Sequence, residues 1–168
     1  MRRLYLLRHA KSSWEDPALH DRDRPLAPRG RRATARIARW ARQRDVRPQL
    51  VVSSSAVRAQ ETLQGVLPGL GEPEVWSEDT LYAASAETLF ERVRALPDVA
   101  EDAMLVGHNP GLGDLLLLLA EPGELRERAE AKVPTGALAT LEADVERWTE
   151  LEPGGMRLVS FVVPRELK

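Results

Sequence analysis

Short apolar runs alternate with longer amphipathic stretches along most of this chain. Three runs have the length and composition of buried strands: Leu4–Leu7, Leu50–Ser53 and Ala103–Val106. Stretches whose apolar residues recur at helical spacing predict four helices: Arg29–Arg44, Ala56–Leu67, Ala86–Leu96 and Gly111–Ala120. Lys11–Pro28 is polar, contains three prolines and is predicted to be a loop. This alternation of strands and helices is typical of an α/β sheet that is covered on both faces.

The last third of the chain is richer in predicted strands. They are Ala137–Leu141, Arg147–Leu151 and Leu158–Val163, and a further short strand is expected earlier, at Glu74–Trp76. Turn residues at 153–155 favour a hairpin that adds an antiparallel edge. Because no long linker divides the sequence, we predict one domain over residues 1–168. We expect a three-layer α/β sandwich with a mostly parallel central sheet, helices on both faces and a strand-rich C-terminal edge.

Composition narrows the classes of function. The 168 residues are 43% apolar and 30% charged, which is typical of a folded domain. The net charge of −2 argues against a nucleic-acid-binding protein, and the absence of cysteine excludes disulfides and thiolate catalysis. The apolar run near the start is interrupted by Arg8, and no later run reaches the roughly 20 residues needed to cross a bilayer. We therefore expect a cytoplasmic monomer that does not contact membranes.

Charged and polar residues follow each of the three buried runs. Arg8 and His9 follow the first, Arg58 lies a short turn after the second, and His108 follows the third within Gly-His-Asn-Pro-Gly. In a parallel sheet, ligand sites form at the carboxyl ends of the strands, so these side chains are expected to meet. Each residue alone has an ordinary explanation, as a surface ion pair or a turn. Their common position after apolar runs favours a shared site.

Such a cluster suits phosphoryl chemistry. Guanidinium groups present rigid forks of N–H donors that match phosphate oxygens. A neutral imidazole can attack phosphorus and form a phosphohistidine. A neighbouring cation such as Arg8 lowers the pKa of a histidine and so favours the neutral, nucleophilic form of His9.

Three segments resemble motifs of the histidine phosphatase superfamily. Leu6–Ser12 resembles its Arg-His-Gly signature, Ser54–Thr62 its second arginine motif and Val106–Pro110 its second histidine motif. The short length and the Asp23–Leu26 stretch are similar to the small SixA-type phosphohistidine phosphatases. Ala10 replaces the usual glycine, a change that fits this branch.

The resemblance implies a phosphoglycerate mutase-like fold and a set of roles. His9 would be the nucleophile, while Arg8, Arg58 and His108 would hold the phosphoryl oxygens. It also suggests Ser12, and the motif residue Asn109, as phosphate-binding residues. No cofactor and no metal are expected, since two arginines and two histidines supply the positive charge. His20, the third histidine, lies in the polar loop without a spaced ligand partner.

An expected acid is missing. Phosphomutase-like members carry an acidic proton donor for the leaving group, and Ala83 stands in the matching region. Substitutes are available in principle: Asp16, Asp21, Asp23, Glu78 and Asp79. The imidazole of a phosphohistidine can depart without such a donor, whereas an alkoxide needs one. The prediction is therefore a phosphatase acting on protein phosphohistidine. The alternatives are a phosphomonoesterase for a small phosphorylated substrate, or a non-catalytic module that binds phosphate or a phosphoprotein.

Eight arginines crowd the Arg29–Arg47 segment. Arg32, Arg36 and Arg39 lie on one stripe of the predicted helix. A solvated face is the simplest explanation, and an acidic protein partner is the sharper hypothesis. Nucleic acid is not expected here, because no aromatic residue except Trp40 is interleaved with the arginines.

Overall fold

A six-stranded sheet forms the centre of the computed structural model, which describes residues 1–168. The strands, in the spatial order β3-β2-β4-β1-β5-β6, are mostly parallel. β5 is antiparallel to β1, and β6 is antiparallel to β5. The strand bounds are β1 Arg2–Arg8, β2 Leu50–Ser54, β3 Glu74–Glu78, β4 Asp102–Gly107, β5 Leu138–Ala143 and β6 Arg157–Val162.

Helices cover both faces of this sheet, as predicted. Their bounds are α1 Pro28–Gln43, α2 Val57–Val66, α3 Ala86–Arg94, α4 Gly111–Leu119 and α5 Glu124–Ala131. Alternate residues of β1 point to opposite faces, so Leu4 and Leu6 pack in one core while Tyr5 and Leu7 pack in the other. α1 and α2 contribute to the second core, and α3, α4 and α5 contribute to the first. No helix has both the length and the apolar character that crossing a membrane would require.

The C-terminal third differs from the prediction in detail. The antiparallel edge is confirmed, but the predicted strand Arg147–Leu151 is wrong, since Trp148–Glu150 forms a 3-10 turn. Trp148 is fully buried there and its indole N–H donates to the Ala100 carbonyl at 2.8 Å. Trp148 and Leu151 are buried three residues apart, a spacing that suits a 3-10 turn, whereas in a strand they would point to opposite faces. Helix α5 was not predicted, because only Ala129 of its eight residues is buried.

The strand register positions the site. Arg8, the last residue of β1, lies beside Gly107, the last residue of β4. Ser53 of β2 pairs with Val106 of β4. The carboxyl ends of these three neighbouring parallel strands therefore lie level with one another, so the residues that follow them converge on one edge of the sheet.

Candidate active site

The four residues predicted to form a site lie together at this edge. His9 directly follows β1, and its backbone N–H donates to the Gly107 carbonyl at 3.0 Å. The centroids of the His9 and His108 rings are 5.2 Å apart. Arg58 lies in the first turn of α2, and all three side chains are buried. Thr62 links two of the segments, because its hydroxyl accepts from the Ala10 N–H at 2.9 Å and donates to the Arg58 carbonyl at 2.7 Å.

A hydrogen bond fixes the tautomer of His9. Its Nδ1 lies 2.8 Å from the backbone carbonyl oxygen of Ala10. A carbonyl oxygen can only accept, so Nδ1 must carry the proton. In the neutral ring, Nε2 then holds a free lone pair. The sequence suggested the nucleophile but not this contact, which any residue following His9 could make through its backbone.

Burial keeps His9 neutral. The pKa of His9 is lowered to about 3: burial is the largest cause, the bond to the Ala10 carbonyl opposes the shift, and the nearby His108, Arg58 and Arg8 add to it. The sequence prediction gave Arg8 as the reason for a low pKa. The direction was right, but desolvation is the larger cause and Arg8 is a minor one.

His108 is held by two residues to which the sequence analysis assigned no role. Its Nε2 lies 2.8 Å from the Ser54 hydroxyl, which also accepts from the Ala56 N–H at 3.2 Å. The Tyr82 ring meets the His108 ring edge-on at 5.5 Å. Burial, followed by the charge of Arg58, lowers the pKa of His108 to about 4. His108 is therefore neutral at pH 7, like His9.

Three buried polar atoms in the molecule have no hydrogen-bond partner, and all three belong to this site. They are Arg8 Nε, Arg58 Nε and His108 Nδ1. Buried donors are rarely left unpaired in proteins, and such exceptions occur where a ligand completes the bonding. The two nitrogens of Arg8 and Arg58 are N–H donors in every protonation state near neutrality. The site thus holds unused donors around a free imidazole nitrogen, an arrangement that suits a phosphoryl group.

A loop acid is bound to one of these arginines. Arg58 donates to the Asp21 carbonyl at 2.6 Å and to the Asp21 carboxylate at 2.9 Å. Tyr82 donates to the same carboxylate at 2.6 Å, and Arg24 donates to it at 3.2 Å. These contacts, of which the Tyr82 bond has the largest effect, lower the pKa of Asp21 to about 2. The predicted loop is therefore attached to the site through an ionised carboxylate.

Ser12 and Asn109 have other partners. The Ser12 hydroxyl accepts from Arg24 at 2.7 Å. The Asn109 side chain donates to the Val133 carbonyl at 3.0 Å and accepts from the Gly113 N–H at 3.1 Å, so it supports the first turn of α4. Contact of either residue with phosphate stays a prediction.

Two further acids that were considered as proton donors, Glu78 and Asp79, are paired with arginines. Glu78 receives two bonds from Arg92, at 2.7 and 2.8 Å. Asp79 accepts from Ser55 and from Arg22, and these two bonds lower its pKa. Ala83 itself has a positive φ of 55° and is exposed.

No group of three or more histidine, aspartate or glutamate side chains is arranged to hold a metal ion. His20 lies at the start of the 3-10 turn Asp21–Asp23 and does not belong to the cluster around His9.

Comparison with known proteins shows the family and the fold of this chain. Residues 4–85 match the model of the histidine phosphatase superfamily (branch 1). The SixA protein of Agrobacterium tumefaciens, proposed to be a phosphohistidine phosphatase, is 32% identical with a TM-score of 0.84, over 97% of this chain and 98% of that one. A protein histidine phosphatase SixA complexed with tungstate, 23% identical with a TM-score of 0.79 over 99% of both chains, has the same fold. An uncharacterized protein of Mycobacterium tuberculosis is 36% identical over 95% of this chain and its own full length.

Proposed function

Because this chain belongs to the histidine phosphatase superfamily and is a SixA-type phosphatase, we propose that it hydrolyses protein phosphohistidine through a covalent intermediate on His9. The observation that carries the proposal is the free Nε2 of a buried, neutral His9, beside three buried nitrogens without partners. Since the chain is a phosphatase, the non-catalytic binding module considered above is set aside.

The first step is an attack by His9. The Nε2 lone pair forms a bond to phosphorus while the bond from phosphorus to the leaving nitrogen of the substrate breaks. The proton on Nδ1 stays on the ring, where the Ala10 carbonyl stabilises the positive charge that develops. In the second step water attacks phosphorus, the bond between phosphorus and Nε2 breaks and its electron pair returns to Nε2, and the phosphate leaves carrying both protons of the water.

Arg8, Arg58 and His108 stabilise the transferring group. Their unpaired nitrogens would donate to the oxygens of phosphorus, on which charge is spread in the transition state. For His108 to donate from Nδ1 in its neutral form, Nε2 must accept from the Ser54 hydroxyl. That assignment agrees with the Ser54–Ala56 contact, because a hydroxyl that accepts from an N–H still has its own hydrogen to donate. No metal is needed for this charge stabilisation.

The state of the nearby acids supports P–N over alkyl P–O substrates. An alkoxide leaving group needs a proton in the transition state. Asp21, with a pKa of about 2, and Asp79, with its lowered pKa, are ionised at neutral pH, and Glu78 is bound by Arg92. A protonated imidazole leaves without such a donor. A small-molecule phosphomonoesterase remains the second candidate, since an activated leaving group is also independent of an acid.

The test compares kcat/KM for three substrates with the same enzyme. They are a phosphohistidine peptide, an alkyl phosphoester such as a sugar phosphate, and p-nitrophenyl phosphate, whose leaving group needs no acid. We expect the peptide and p-nitrophenyl phosphate to exceed the sugar phosphate by on the order of 10²-fold, the usual contribution of a general acid. A sugar phosphate hydrolysed faster than the phosphohistidine peptide would overturn the proposed substrate class. In that case Asp21→Asn, Asp79→Asn and Glu78→Gln identify the donor by slowing only the alkyl ester.

A further inference from the structure

A groove rich in positive charge adjoins the site on the side of Arg8. It has a volume of about 300 Å³ and is lined by eleven residues, six of them cationic and none acidic. The six cations come from several segments of the chain: the β1 end, the following loop, α1, the α5 end and the C-terminal turn. They are Arg8, Lys11, Arg29, Arg36, Lys132 and Arg165.

None of the six cations forms a salt bridge, although thirteen salt bridges are present elsewhere in the molecule. Other arginines of α1 are engaged outside the groove: Arg31 pairs with Glu61, and Arg39 donates to the C-terminal residue. Clustered like charges in a concave, low-dielectric surface raise the local potential and attract anions. The unpaired cations thus form a surface whose counter-charge is not supplied by this chain.

The other side of the site has the opposite character. A wider groove of about 830 Å³ lies beyond His108, between Ala83–Glu87 and α4. Its charged lining residues are Glu87, Asp114 and Arg126, and Arg126 already pairs with Glu130. Leu117, Leu118 and three alanines supply apolar surface there. The two grooves flank the catalytic cluster and differ in the charge they would accept.

We propose that the cationic groove is a subsite for carboxylate side chains that flank the phosphohistidine in a protein substrate, while the opposite groove receives the uncharged flank. This inference rests on the proposed function and adds the path of a polypeptide across the site, from the cationic groove on the Arg8 side to the groove beyond His108. A polypeptide is favoured over a small polyanion because recognition surface is present on both sides of the phosphoryl position. An acidic partner was predicted to bind the Arg29–Arg47 segment. In this inference it contacts Arg29 and Arg36 of that segment, together with groove cations from other segments.

The test uses phosphohistidine peptides that differ only in their flanks. One peptide carries three glutamates before the phosphohistidine, a second carries them after it, and a third has glutamines at all these positions. We expect one acidic peptide to exceed the glutamine peptide in kcat/KM by about tenfold, as three exposed ion pairs would give. The preference should fall as ionic strength rises from about 0.05 to about 0.5 M, because this increase shortens the Debye length severalfold and screens the ion pairs.

The variant Arg36→Gln/Lys132→Gln/Arg165→Gln removes three groove cations and leaves Arg8 in place. It should lose the preference for the acidic peptide but hydrolyse the glutamine peptide within about threefold of the wild type. The matched control, Arg32→Gln/Arg44→Gln/Arg147→Gln, removes the same charge from exposed positions outside the groove. It should keep the preference.

The outcomes separate this inference from the proposed function. If no phosphohistidine peptide is hydrolysed while p-nitrophenyl phosphate is, the proposed substrate class fails first. If all peptides are hydrolysed at equal rates, or both triple variants lose the preference alike, the groove is not a carboxylate subsite. Strong inhibition by inorganic tripolyphosphate that the groove variant abolishes, without any preference among peptides, would assign the groove to a small polyanion and overturn the inference.

Discussion

The parallel and antiparallel halves of the sheet differ in what they bury. At the ends of β1, β2 and β4 the buried side chains include His9, Ser53, Ser54 and His108, whereas β5 and β6 bury one polar residue, Thr140. Parallel strands all end at one edge, so polar groups placed after each strand converge there. Antiparallel strands send successive ends to opposite edges, and this half contributes apolar packing instead. The functional site therefore forms at the edge of the sheet where the neighbouring parallel strands end.

The antiparallel half still shapes the site through its backbone. The Gly136 N–H, just before β5, lies 3.1 Å from the Arg8 carbonyl and 3.0 Å from that of His9. The Val133 carbonyl accepts from both Arg8 and Asn109. These are contacts to main-chain atoms, so they support the position of the catalytic side chains without supplying any chemistry. Changes in the two halves should accordingly have different effects, on turnover in one and on stability in the other.

The largest effect is expected from His9→Ala. Loss of a nucleophile lowers kcat by on the order of 10⁴-fold or more, because the covalent route is lost while binding remains. Circular dichroism and thermal unfolding should show a folded protein, since His9 lies at the edge of the sheet and belongs to neither hydrophobic core. If His9→Ala hydrolyses p-nitrophenyl phosphate at a rate within about tenfold of the wild type, His9 is not the nucleophile.

The next effect is expected from Arg58→Gln, which removes charge stabilisation but leaves the nucleophile. We expect kcat/KM to fall by on the order of 10²- to 10³-fold. Arg3→Gln is the matched control, because Arg3 lies at the opposite end of β1 and pairs with Asp102 and Glu142. It should alter stability slightly and leave kcat/KM unchanged. If kcat/KM falls equally in Arg58→Gln and Arg3→Gln, the loss comes from an effect on folding and not from lost charge stabilisation at the site.

The antiparallel half is tested by Trp148→Ala. Trp148 is fully buried and bonded to the Ala100 carbonyl, so its truncation should lower the free energy of unfolding by about 3–5 kcal/mol. At a temperature where the variant is folded, its kcat should stay within about twofold of the wild type, since the residue does not touch the site. A large loss of kcat in the folded variant would contradict the division between the two halves.

The buried histidine predicts a smaller, pH-dependent effect on stability. The pKa of His9 is about 3 in the folded protein and 6.5 as the ordinary value. As pH falls below 6.5, the unfolded chain therefore binds a proton that the folded protein does not, and the free energy of unfolding decreases. At pH 5 this contribution is about 2 kcal/mol, and it is absent at pH 8. In urea unfolding, the free energy of unfolding of His9→Asn should therefore decrease less between pH 8 and pH 5 than that of the wild type. An equal decrease in both proteins would contradict a neutral buried His9.

The smallest effect is expected from metal removal. The positive charge that a metal would supply in phosphoryl transfer is provided here by Arg8 and Arg58, with a further donor on His108. Prolonged treatment with EDTA, followed by assay in metal-free buffer, should leave activity unchanged. Full loss of activity that one divalent ion restores would refute this part of the mechanism.

The sequence predicted much of the fold and the meeting of Arg8, His9, Arg58 and His108 at one edge of the sheet, for a physical reason. Buried parallel strands are continuous apolar runs, and the residues after them are constrained by the chemistry of the site, so both leave a local pattern. The segment Arg147–Leu151 shows where this fails, because two apolar residues in a stretch of five are too few to distinguish a 3-10 turn from a strand. Helix α5 buries one residue and leaves almost no periodic signal.

The contacts between distant segments could not be predicted. Tyr82 and Asp21 are separated by 61 residues, and neither has a local pattern that indicates their bond. Ser54 lies 54 residues from His108 in the sequence, and nothing local indicates that its hydroxyl contacts the His108 ring. Such pairings depend on how the loops fold over the sheet edge. The sequence therefore indicates what chemistry each side chain can perform, but not which distant residue it contacts.

The central claim is that phosphate is transferred to His9, and rapid quenching tests it most directly. Enzyme mixed with ³²P-labelled phosphohistidine peptide and denatured within one turnover should carry label that is stable in base and labile in acid, as phosphohistidine is. Peptide mapping under alkaline conditions should place the label on His9, and His9→Ala should carry none. Label on His108, or hydrolysis by the wild type with no labelled protein at any quench time, would contradict the mechanism.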